Sequence, residues 1–134
     1  MNILYISSQL PFSFSSELTI DFYITKYLRE LGHSIHFLCP HSSKLEQRDI
    51  FVSQRFIDSI DFLPEPVDET EDISSKWGSV ATRYLGEYQA SIVVCSGLPV
   101  CDILAFLPKE AYKIANYIDA ISNSPHIFSS SIAP

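Results

Sequence analysis

The sequence of 134 residues contains only four glycines, and none of them precedes Gly32. A nucleotide-binding α/β protein usually places glycines directly after its first strand, where a phosphate approaches the backbone. Here that place is taken by SSQLPFSFSSEL, residues 7–18, a segment rich in serine. The sequence therefore lacks the usual glycine loop, and it offers serine hydroxyls and the start of a helix instead.

The chain also lacks a disulfide framework and a long hydrophobic run. Its three cysteines, Cys39, Cys95 and Cys101, form an odd set without disulfide spacing, which predicts a reducing, cytoplasmic environment. No apolar run approaches the roughly 20 residues that span a bilayer. No basic residue precedes the first apolar stretch, so we predict neither a transmembrane segment nor a secretory signal.

Positive charge is scarce, since the net charge is −7. Seven acidic residues and no Lys or Arg fall within residues 58–72, and acidic and basic residues balance in the rest of the chain. This segment is typical of a solvated loop and helix start, and a site for a cation or a basic partner is the alternative. Without a basic stripe, we predict that neither nucleic acid nor anionic lipid is a partner.

Short apolar runs alternate with helical spacing along the chain. The pattern predicts strands over residues 2–7, 34–39, 57–63, 91–95 and 112–118, and helices over 18–31, 43–54, 73–88 and 99–107. Such alternation is typical of a Rossmann-like α/β fold, a doubly wound parallel sheet with helices on both faces and strand order 3-2-1-4-5. We assign residues 1–122 to this single domain and 123–134, rich in Ser and Pro, to an irregular tail.

The helices are predicted from their caps and their apolar faces. Ser15 or Ser16 can cap the first helix, and Gly32 can close it. Six aromatic residues are expected to pack on the sheet from the helices: Phe22, Tyr23, Tyr27, Trp77, Tyr84 and Tyr88. His36 and Cys39 lie three residues apart in a strand and so face opposite sides, and we predict no metal site.

Ligands of such sheets bind beyond the carboxyl ends of the strands, where the strand order reverses. The loop after the first strand and the Ser96-Gly97 turn should meet there, and Asp119 closes the fifth strand at the same edge. Candidate residues for a substrate or phosphate loop are Ser8, Ser15, Ser16, Ser96 and Gly97. Phe12 and Phe14 alternate with serines in an exposed loop, and they are candidates for contact with an acceptor or a partner protein.

The first forty residues, MNILYISSQLPFSFSSELTIDFYITKYLRELGHSIHFLCP, resemble the opening of GT-B retaining glycosyltransferases of family 4. Those begin with a strand, a proline-containing loop, a long helix, a Gly-His pair (here Gly32-His33) and a strand ending near Cys-Pro (here Cys39-Pro40). KIANYIDAIS, residues 113–122, is similar to the strand and turn that carry an Asp or His at the sugar-transfer site. The resemblance covers roughly the whole chain.

The resemblance implies the N-terminal, acceptor-side domain of an enzyme that moves a sugar from a nucleotide-sugar to an acceptor. It implies Asp119 as a catalytic or acceptor-orienting carboxylate, whereas a residue that caps the next turn is the alternative. It also implies no cofactor beyond the donor and no metal. A second domain or chain, which carries most donor contacts in that family, is the implied partner.

Two departures weaken the expected activity. Many family members have a Gly-Gly pair where this chain has Ser15 and Ser16, and a Cβ hinders close approach of a phosphate to the backbone. Glu17 adds a negative charge at the same helix start. The sequence contains no donor-binding second domain, so we expect this chain alone to be inactive as a glycosyltransferase.

Two other functions stay open at this point. A non-catalytic Rossmann-like module would bind a partner protein or assemble as a homo-oligomer through an exposed apolar surface. A flavodoxin-like protein would hold the phosphate of a ligand at the serine-rich loop. Whether the chain is an enzyme is therefore left undecided by the sequence.

Overall fold

A computed structural model of the chain describes residues 1–13, 19–43, 45–65 and 73–116. Its strands are β1 (Asn2–Ser7), β2 (Ser34–Pro40), β3 (Ser59–Leu63), β4 (Ile92–Ser96) and β5 (Tyr112–Asn116). They form one parallel sheet in the order β3-β2-β1-β4-β5. The predicted Rossmann-like fold and strand order are confirmed.

Within the described ranges, three helices longer than a single turn connect the strands: α1 (Ile20–Glu30), α2 (Gln47–Ser53) and α3 (Ile73–Glu87). The connection from β4 to β5 was predicted as one helix over residues 99–107. It is instead a four-residue helix, α4 (Leu98–Cys101), followed by a 3₁₀ helix, Asp102–Phe106. Among the described residues, no helix is long and apolar enough to cross a membrane.

The alternating side chains of β1 divide the core into two layers. Leu4 and Ile6 belong to a cluster with residues of α3 and α4 on one face of the sheet. Ile3 and Tyr5 belong to a cluster with residues of α1 and α2 on the other face. Because successive strand residues point to opposite faces, a strand that is apolar at every position must be covered on both sides.

The start of α1 differs from the prediction. Thr19 is the N-cap, and its hydroxyl accepts a hydrogen bond of 3.3 Å from the Phe22 backbone N–H. The predicted caps, Ser15 and Ser16, lie outside the described residues. The same threonine hydroxyl donates to the Pro11 carbonyl at 3.2 Å, so it ties the helix start to the loop after β1.

The prediction that Tyr23 and Tyr27 pack on the sheet was wrong, since they are 55% and 61% exposed. The inner side of α1 carries Phe22 and Thr25, which are buried, and Asp21, which is fully buried. Asp21 and Thr25 occupy positions that a hydrophobic pattern assigns to apolar residues. The apolar stripe therefore indicated a face rotated away from the one that meets the sheet.

Candidate functional site

The carboxyl ends of β1 and β4 bring two predicted site segments together. Ser7 pairs with Ser96 in the parallel register, so the residues that follow them, Ser8 and Gly97, are neighbours. Gly97 has a φ of +98°, and a Cβ at this position would lie 3.1 Å from the Ser8 Oγ. This turn therefore needs glycine for its backbone conformation and for the close approach of Ser8.

The Ser96-Gly97 turn offers little to a phosphate. Ser96 is buried, and Gly97 is the N-cap of a helix of only four residues. A helix that short has a weak dipole and few free N–H groups for an anion.

A buried carboxylate lies directly beneath the loop after β1. The Tyr5 phenol donates a hydrogen bond of 2.5 Å to one Asp21 oxygen, and the Ser7 hydroxyl donates one of 2.6 Å to the other. All three side chains are fully buried. The Thr25 hydroxyl donates to the Asp21 backbone carbonyl at 2.7 Å. Two charge-assisted hydrogen bonds satisfy a carboxylate that would otherwise be costly to bury.

This network fixes the start of the loop. Ser7 is the last residue of β1, and its Oγ also accepts a longer hydrogen bond, 3.4 Å, from the Gln9 backbone N–H. The carboxylate belongs to the first turn of α1. Asp21 therefore connects the end of β1, the first loop residues and the start of the helix.

A cleft of about 350 Å³ opens at the carboxyl ends of β1 and β2. One wall comes from the loop after β1, and the other comes from the end of β2, the loop that follows it and the start of α2. The cleft is lined by Ser8, Gln9, Leu10, Phe12, Ser13, Cys39, Pro40, Ser42, Leu45, Glu46 and Asp49. Its volume lies within the range of small-molecule sites.

Contacts across the cleft hold its two walls in place. The Ser13 hydroxyl donates to the Asp49 Oδ2 at 3.2 Å, and the Ser53 hydroxyl donates to the Phe12 carbonyl at 3.3 Å. The Phe12 ring packs against Phe56, with 6.3 Å between ring centroids. The loop after β1 is therefore fastened to α2 and to the turn that follows it.

Cys39 lines the cleft, but its thiol is poorly suited to act as a nucleophile. Burial disfavours the thiolate and raises the pKa of Cys39 to about 12. Burial also raises the pKa of Cys95, which lies at the end of β4. Both thiols are therefore protonated at neutral pH.

The predicted site residues are only partly brought together. Ser8 and Phe12 line the cleft at β1 and β2, whereas Ser96 and Gly97 lie on the β4 side of β1. Phe14, Ser15, Ser16 and Asp119 lie outside the described residues. The cleft lies over β1 and β2, whereas the rule of the reversing strand order predicts a ligand site between β1 and β4.

Sequence reasoning did not single out five polar residues of the cleft: Gln9, Ser13, Ser42, Glu46 and Asp49. An acid at the start of a helix usually faces solvent, and its sequence signal is the same when it faces a cleft. No group of three or more metal-ligating side chains lies together in the part of the chain that the structure describes. No family model matches this chain, and the comparison with curated proteins found no match either.

Proposed function

We propose that this chain is the acceptor-side domain of a GT-B glycosyltransferase, and that it binds a sugar acceptor in the cleft at β1 and β2. The cleft is the observation that carries the proposal. It places three serine hydroxyls, Ser8, Ser13 and Ser42, beside the carboxylates of Glu46 and Asp49. The resemblance of the first forty residues to that enzyme family supports the same function.

The lining suits a polyhydroxylated ring. Carboxylates accept hydrogen bonds from sugar hydroxyls, and serine hydroxyls donate and accept them. The Phe12 ring and the side chains of Leu10 and Leu45 offer apolar surface to the C–H bonds of a sugar. Six of the eleven lining residues are polar or acidic, so the cleft offers a sugar both hydrogen-bonding groups and apolar surface.

We expect a second domain or chain, rather than this cleft, to bind the phosphates of the sugar donor. No Lys, Arg or His lines the cleft within the described part of the chain. Asp21, in the first turn of α1, adds negative charge near the helix start and so disfavours an anion there. The chain alone should therefore show no turnover of nucleotide-sugars.

Calorimetric titration with a panel of neutral mono- and disaccharides tests the acceptor site. We expect binding that Phe12→Ala and Ser13→Ala each weaken about tenfold, a loss of about 1.4 kcal/mol. Phe51→Ala is the matched control, because Phe51 is exposed on α2 and does not line the cleft. Absence of saccharide binding, equal loss in the control, or turnover of a nucleotide-sugar by the chain alone would contradict the proposal.

A non-catalytic assembly module is the second candidate, and the sheet edge favours it. Tyr112 and Ile114 on β5 are 68% and 42% exposed, and they lie two residues apart on one face of the strand. An exposed apolar edge strand is a ready template for pairing with another chain. Sedimentation should then give a homo-oligomer that Ile114→Asp converts to a monomer. A monomeric parent protein would contradict this candidate.

A further inference from the structure

The described lining of the cleft at β1 and β2 is acidic. Its lining includes two carboxylates, Glu46 and Asp49, and no positively charged side chain among the described residues. Lys44 lies outside the described residues. Asp49 lines the cleft and is 7% exposed, so its charge is only weakly screened by water.

Among the residues that the structure describes, the other charged groups near the cleft leave its lining negative. Glu46 accepts a hydrogen bond of 2.7 Å from the Arg48 Nε, and both side chains of this ion pair are more than half exposed. Arg48 does not line the cleft. Solvent screens this exposed pair, whereas Asp49 lies on the inner wall with the Ser13 hydroxyl as one of its donors.

The aromatic ring of Phe12 in the cleft lining is also suited to contact with a cation. The half-buried Phe12 ring is held at the cleft by Phe56, which packs edge-to-face on Phe22 with 4.8 Å between ring centroids. The face of an aromatic ring attracts an ammonium group within about 6 Å of its centre. A cation in the cleft would thus meet a carboxylate and a fixed aromatic ring.

We infer that the acceptor bound in this cleft carries a protonated amine, as an amino sugar or an aminocyclitol does. This inference rests on the proposed function. The ammonium group lies near Asp49 and the Phe12 ring, and the ring hydroxyls bond to Ser8, Ser13 and Ser42. The same two carboxylates repel a phosphorylated sugar.

Three ligands with the same ring and different charge test the inference. Glucosamine is cationic at slightly acidic pH, N-acetylglucosamine is neutral, and glucose 6-phosphate is anionic. Calorimetry at low salt should show glucosamine binding about tenfold more tightly than N-acetylglucosamine, and glucose 6-phosphate binding least. Added sodium chloride should reduce the preference, because salt screens the charges.

Two variants test whether the acidic residues of the cleft cause the preference for glucosamine over N-acetylglucosamine. Asp49→Asn should reduce the ratio of glucosamine to N-acetylglucosamine affinity several-fold, and the more exposed Glu46→Gln should reduce it by a smaller, measurable factor, whereas the exposed Asp102→Asn, outside the cleft, should leave it unchanged. The Glu46 variant keeps the test valid if loss of the buried acid impairs folding. An unchanged ratio in both cleft variants overturns the inference.

The outcomes separate the two proposals. Equal affinity for glucosamine and N-acetylglucosamine, or tightest binding of glucose 6-phosphate, overturns the amine inference and leaves the acceptor function standing. If none of the three sugars binds, and the panel of neutral saccharides does not bind either, the proposed function is overturned. Binding of calcium chloride alone in competition with glucosamine would make the cleft a general cation site and overturn the amino-sugar assignment.

Discussion

The phenol of Tyr5 donates a hydrogen bond of 2.5 Å to the carboxylate of Asp21, and both side chains are fully buried. Tyr5 lies in the central strand β1, and its ring stacks on Phe37 of β2 with 5.4 Å between centroids. Asp21 belongs to the first turn of α1. This single contact thus joins the sheet to the helix that ends the loop after β1.

Asp21→Ala should destabilise the protein by about 2–4 kcal/mol, because the buried hydroxyls of Tyr5 and Ser7 lose their carboxylate acceptor. Urea denaturation measures the change in the free energy of unfolding. Glu30→Ala, an exposed acid on the same helix, is the control and should change it by less than about 0.5 kcal/mol. Equal effects of the two variants would show that the network contributes nothing to stability.

Two glycines of α3 should respond to alanine in opposite directions. A Cβ at Gly78 would lie 2.5 Å from the Phe106 Cβ, so Gly78→Ala forces the 3₁₀ helix away and should cost about 1–3 kcal/mol. A Cβ at Gly86 would meet nothing within 4 Å, and Gly86→Ala should stabilise by about 0.5–1 kcal/mol through helix propensity. Thermal unfolding compares them, and the same sign for both variants would contradict the described packing of α3.

His36 should make stability depend on pH on the acid side. Burial lowers the pKa of His36 below 6.5 by more than the nearby Asp58 and Asp61 raise it. A lowered pKa means that protonation favours the unfolded state, so this contribution is present above pH 6.5 and is lost as the pH falls. The ring stacks on Tyr88 and bonds to the Ser59 hydroxyl at 2.9 Å. His36→Gln should lose less stability than the wild type between neutral and acidic pH. An equal loss of unfolding free energy in the wild type and in His36→Gln over this pH range would contradict the prediction.

The cysteines should resist thiol reagents until the protein unfolds. All three are buried, and none of them forms a disulfide bond. With its pKa raised from 9.0 to about 12, Cys39 has a thiolate fraction about a thousandfold smaller at neutral pH. Because the raised pKa means that the folded state holds the Cys39 proton more tightly than the unfolded state does, this group's contribution to stability is complete below pH 9.0. The contribution is lost as the pH rises towards 12. Labelling with a chromogenic disulfide should be slow in buffer and rapid in urea. Fast native labelling of one thiol would contradict the burial of that site.

The sheet could be predicted because its sequence signal is local. Apolar runs such as NILYIS in β1 and IVVCS in β4 are short and covered on both faces, and the strand order follows from the preference for right-handed crossovers. Boundaries moved by a few residues, as in α2, which was predicted over 43–54 and runs from Gln47 to Ser53. Such shifts arise where caps and turns, rather than burial, decide where an element begins.

The site was harder to predict because its geometry depends on contacts that are distant in sequence. Asp21 has the pattern of a solvent-facing acid at a helix start, yet partners from β1 make it a core residue. The Asp49 carboxylate accepts a hydrogen bond from the Ser13 hydroxyl, which lies 36 residues away in the loop after β1. The rule of the reversing strand order predicts a ligand site between β1 and β4. The loop after β1 is instead bonded to α2, through Phe12 and Ser53, and the cleft lies over β1 and β2.

Amide chemical-shift mapping of the chain during titration with a saccharide that binds by calorimetry tests the central claim most directly. The acceptor-site proposal predicts changes at Ser8, Ser13, Ser42 and Asp49, and none at Tyr112 on the β5 edge. Uridine diphosphate, added in a parallel titration, should leave the cleft signals unchanged. Saccharide-induced changes confined to the Ser96-Gly97 turn or the β5 edge, or cleft signals that respond only to the nucleotide, would contradict an acceptor site at β1 and β2.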